Sequence, residues 1–110
     1  MLPTVTHLFQ PNAGEAPGET FHALLQTPHV RLERIVSRGQ ASPADFWYDQ
    51  DTAEWVALLC GEAELEFEDG NLALEAGDAL LIPAHCRHRV AACSDDALWL
   101  ALHFADEAFK

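Results

Sequence analysis

The chain has 110 residues, 49% of them hydrophobic, which is enough for one domain with its own core. Six Lys and Arg face 18 Asp and Glu, a formal net charge of −12. With Arg87-His88-Arg89 as the one basic cluster, the chain lacks the positive surface that nucleic acid or an anionic membrane requires.

No apolar run approaches the ~20 residues of a bilayer span, and the stretch from Met1 to His7 has no signal-peptide pattern. Cys60, Cys86 and Cys93 are odd in number and lack C-x-x-C spacing, which speaks against a disulfide framework or a thiolate zinc site. The expectation is a cytoplasmic protein with reduced cysteines.

In chain order, Pro11 to Gly18 is rich in turn formers and reads as a loop. Residues 1–29 are expected to form an N-terminal arm and loop packed on a main domain spanning 30–110. Val30 to Ser37 is the first strand, and Glu54 to Cys60 the second, ending at Gly61. From Glu62 to Glu68, four glutamates alternate with Ala63, Leu65 and Phe67, the period of a strand with one wet and one dry face. That alternation accounts for the glutamates as a solvated face without invoking a cation site. Asp69-Gly70-Asn71 has hairpin chemistry, Leu72 to Glu75 returns, and Ala76-Gly77-Asp78 turns again. Ala79 to Ile82 is a strand stopped by Pro83, and His88 to Ala92 and Leu98 to Phe104 complete the set across Ser94-Asp95-Asp96. The tail from Asp106 to Lys110 has room for a last turn of helix. Many short strands with Gly and Pro punctuation predict an antiparallel sandwich or barrel.

Two stretches resemble the cupin family, specifically its small single-domain bacterial members. Glu54 to Gly61 is similar to the end of the first cupin motif, where a ligand glutamate precedes a glycine by seven positions. Gly77 to His88 is similar to the second motif, with a glycine, five residues, a proline and, five further on, a ligand histidine. The resemblance implies an all-β cupin double-stranded β-helix (a jelly-roll barrel) as a single domain. It also implies a divalent metal in the barrel (iron, manganese, zinc or nickel), a small organic substrate and a homodimer. The departures are specific. Where the first motif has two histidines ahead of the glutamate, one register gives Trp47 and Asp49 and the other gives Tyr48 and Gln50. In the second motif His85 stands for the usual glycine and Ala92 for the usual asparagine.

Strand parity bears on the same residues. If Ala63, Leu65 and Phe67 face inward, so do Glu54, Val56 and Leu58. His88 and Val90 share a face opposite Arg87 and Arg89, and arginines seldom enter a small barrel. An inward carboxylate is costly unless paired or bound to a cation. The metal set that the resemblance implies is His88 and Glu54, with Asp49 or His103 completing it, in a pocket with Tyr48, Gln50, Trp47 and His85. Trp99 is a further candidate for the pocket wall, and Trp55, one residue from Glu54, should face away. Three functions fit: a metal-dependent enzyme, a metal-free acid–base enzyme, and a module that binds a small ligand without turnover.

Overall fold

A computed structural model describes residues 1–9 and 19–105. The loop read over Pro11–Gly18 and the tail from Asp106 lie outside the described residues. Eight strands follow in order: β1 Thr20–Gln26, β2 Val30–Val36, β3 Ala53–Cys60, β4 Glu62–Phe67, β5 Gly70–Glu75, β6 Ala79–Ile82, β7 His88–Cys93 and β8 Leu98–Phe104. They form a five-stranded sheet ordered β1-β2-β8-β3-β6 and a three-stranded sheet ordered β5-β4-β7, with all pairs antiparallel. This is the jelly-roll arrangement that the alternation and the two motifs predict.

One strand exceeds the sequence reading. Thr20–Gln26 pairs with β2, so the barrel sheet begins ahead of Val30. Its register shifts between Ala23 and Leu25. Phe21 and Ala23 therefore align with the inward-facing Ile35 and Glu33, whereas Leu25 aligns with Leu32 on the other face. A bulge of this kind inserts one residue and breaks the period-two signal.

Register fixes the inward face of the large sheet as three rows. At one end Ile35, Trp99 and Leu58 lie side by side; at the other Arg31, His103, Glu54 and Ile82 do. Glu33, Ala101, Val56 and Leu80 form the row between them. The interior thus runs from apolar to charged along the strands. Val56, Leu58, Ala63, Leu65, Ile82, Trp99 and Ala101 pack as one buried cluster joining the two sheets, which leaves the charged row at the open end.

Gly61 turns the chain from β3 into β4 at φ +84°, a left-handed conformation. A Cβ there would lie 2.4 Å from Ser94 Oγ and 3.0 Å from Ala97 Cα. The glycine of the first motif is therefore required both by backbone conformation and by the loop packed over it.

Candidate functional site

A cavity of about 340 Å³ opens at the charged end of the barrel. Tyr48 precedes β3 and pairs with His88 as an isolated antiparallel bridge: the Tyr48 N–H donates to the His88 carbonyl at 2.7 Å, and the His88 N–H donates back at 3.1 Å. This bridge decides the register of the first motif. Tyr48 and Gln50 line the cavity with Glu54, His88 and His103. The Tyr48 ring stacks on the His88 imidazole with centroids 5.3 Å apart.

His88 and Glu54 are both buried. His88 Nδ1 lies 2.9 Å from the Cys86 carbonyl, an acceptor only, so Nδ1 carries the proton and donates there. Its Nε2 is left facing Glu54 Oε1 at 3.6 Å, an ion-pair distance when the ring is protonated. Burial pulls the His88 pKa down, but the Glu54 carboxylate and the Cys86 carbonyl outweigh it, and the net shift is upward. A second dyad lies in the same cavity, with His103 Nε2 3.2 Å from Glu33 Oε1. Arg31 Nη2 approaches the same Glu33 oxygen at 3.7 Å. Burial, then the charges of Glu19, Glu54 and Glu33, raise the Tyr48 pKa, so its phenol stays neutral. Phe21, Ile35, Val56 and Trp99 contribute apolar wall, as small-ligand sites commonly have.

Trp47, Asp49 and His85 are expected in this pocket and do not line it. The reason is the alternation that sends Tyr48 and Gln50 inward. Trp47 lies outside, 5.2 Å from the Arg87 guanidinium. Asp49 Oδ1 meets His85 Nδ1 at 2.8 Å on the surface, where both side chains are at least half exposed. His85 adopts φ 62°, which explains why the family's usual residue there is glycine. Trp99 does line the wall, and Trp55 faces away, 39% exposed.

Sequence reasoning missed Arg31, Glu33 and Glu19. The signal on β2 points the wrong way: Val30, Leu32 and Val36 make the opposite face the more apolar one, so parity alone would turn Glu33 outward.

The donors do not fit a resident metal ion. Asp49 lies outside the cavity and His103 faces Glu33. The two positions beside Glu54 and His88 hold a neutral phenol and an amide, weak ligands beside imidazole and carboxylate. Among the described residues no three His, Cys, Asp or Glu side chains form a group able to hold a metal.

The jelly roll that holds these side chains agrees with comparison to known proteins. The cupin domain family matches residues 34–103, and the chain belongs to that family. A protein of Ralstonia eutropha JMP134, provisionally described as a mannose-6-phosphate isomerase, is 42% identical. Their structures superpose with a TM-score of 0.88 over 94% of this chain and 99% of that one. A cupin superfamily protein of Desulfitobacterium hafniense DCB-2 is 24% identical, with a TM-score of 0.76 over 96% and 95% of the two chains. KdgF from a Halomonas species is 23% identical, with a TM-score of 0.70 over 89% and 87%. These last two share the fold. No curated protein matches this chain.

Proposed function

We propose that this cupin is an acid–base enzyme that moves a proton between neighbouring carbons of a small hydroxycarbonyl compound. The observation that carries this reading is the buried pair of Glu54 and His88 at one wall of the cavity. Glu54, as carboxylate, takes the proton from the carbon beside the carbonyl, while protonated His88 gives its Nε2 proton to the carbonyl oxygen. The resulting enediol collapses when the neighbouring hydroxyl returns a proton to His88 and Glu54 protonates the former carbonyl carbon. Atoms balance without an oxidant or reductant, and the Glu54 carboxylate and the Cys86 carbonyl, by raising the His88 pKa, favour the protonated ring that the step needs. The Ralstonia protein, with its provisional isomerase description, lends the reading its substrate type. Reduced thiols at Cys60, Cys86 and Cys93 suit a cytoplasmic location, and a homodimer is proposed through the outer sheet face taken up below.

The test is incubation in D2O with a panel of aldoses, ketoses and their phosphate esters, followed by proton NMR for loss of a carbon-bound hydrogen. Exchange should survive a chelator and fall by about 10²-fold or more in Glu54→Gln and His88→Gln. One equivalent of metal in native protein, lost in those variants, would reinstate a metal-dependent site. Tight binding of a panel member with no exchange would make the cavity a binding module.

A further inference from the structure

We infer that the cavity selects an unphosphorylated, hydroxyl-rich substrate and discriminates against phosphate esters. The inference rests on the acid–base reading for what happens to the substrate, but its own ground is the charge and hydrogen-bonding inventory of the wall.

Three carboxylates reach the cavity, Glu19, Glu33 and Glu54, and Arg31 is the one arginine or lysine among the residues lining it. That guanidinium already faces Glu33 at 3.7 Å. Both imidazoles are likewise matched to carboxylates, His88 to Glu54 and His103 to Glu33. With the carboxylates ionised, the wall is neutral if both imidazoles are protonated and negative otherwise. It is never the positive cradle that a phosphate dianion needs.

Three arginines outside the cavity wall are committed elsewhere. Arg34 donates to the carbonyls of His7 and Leu8, and Arg87 and Arg89 pair with Glu68 and Glu66. Among the described residues there is no helix, and so no helix N-terminus to offer a phosphate its backbone N–H groups.

The same inventory says what is welcome. Ionised carboxylates only accept hydrogen bonds, so the substrate must donate. Tyr48 Oη, with no hydrogen-bond partner among the described residues, both gives and accepts, and Gln50 supplies a donor and an acceptor. Hydroxyl groups along a short carbon chain satisfy such a wall, with Trp99 and Phe21 covering the carbon faces.

Calorimetric titration with matched pairs of aldoses and ketoses and their 6-phosphates tests this on native protein. The free sugar should bind about tenfold or more tightly than its ester. Glu19→Gln, at an exposed position, should narrow that gap, because it removes a charge that repels the ester and keeps an oxygen that accepts from a hydroxyl. An ester that binds as well as its sugar, or ester binding abolished by Arg31→Gln, would overturn the inference, as would a panel in which no free sugar binds. The proton-exchange experiment fails separately. Free sugars that bind without exchange defeat the acid–base reading alone, and esters that bind and exchange defeat the selectivity alone.

Discussion

At His88 two environmental effects oppose each other, and their difference controls the protonation of the site. Burial favours the neutral ring, while Glu54 and the Cys86 carbonyl favour the cation and prevail. Glu54→Gln removes the charge and keeps the shape, so the His88 pKa should fall below its present value, read from the pH dependence of its imidazole NMR signals. An unmoved titration would show that Glu54 does not hold the proton in place. The linked effect on stability has a definite sign. A histidine raised on folding stabilises the fold in full below its ordinary value of 6.5, and that contribution is lost as pH rises through the folded value. Glu54→Gln should flatten this slope.

Single residues also show how far the sequence could be read. Glu54 and His88 were legible because each sits in a motif with fixed spacing and each parity argument was clean. The register ahead of Glu54 was not, since Trp47-Tyr48-Asp49-Gln50 offers an aromatic and a polar residue on either face. The backbone bridge from Tyr48 to His88 resolves it, and no local pattern encodes a bridge between residues forty apart. Glu33 was hidden for another reason: a strand whose inward face carries Arg31 and Glu33 violates the rule by which strands are read.

Among the elements, the β4–β5 hairpin of the small sheet was legible, as were β6 and β8, because their alternation or their punctuation is strong. β1 was not, because the bulge between Ala23 and Leu25 changes its facing midway. The connection from β3 to β4 gives a sharp test. Gly61→Ala puts a methyl group against Ser94, Asp96 and Ala97 in a left-handed conformation. It should cost at least about 2 kcal/mol, from backbone strain plus overpacking, measured as a shift in the urea midpoint. A midpoint within error of the native one would mean that the loop yields freely, and that the motif glycine has no steric role here.

The molecule as a whole carries strong negative charge and, on its large sheet, an apolar stripe. Register aligns Leu25, Leu32, Leu102, Trp55 and Leu81 across all five strands on the face away from the cavity. Leu25, Trp55 and Leu81 are 52%, 39% and 45% exposed. A row of this kind suits a self-complementary contact between two copies related by a two-fold axis. Sedimentation should find a dimer, and Trp55→Glu should dissociate it by about tenfold or more in concentration, since a buried charge replaces an apolar anchor. Low salt should weaken the dimer, because two chains of like charge repel at long range. A native protein that sediments as a monomer would leave the stripe as ordinary exposed surface.

The backbone bridge between Tyr48 and His88 carries a consequence for ancestry. It holds residues 48 and 50 where the family resemblance has its two histidines, whatever side chains stand there. Tyrosine and glutamine codons each lie a single base change from histidine codons. A lineage could therefore gain or lose two imidazoles at the cavity wall by point mutation, with no insertion and no refolding of the frame.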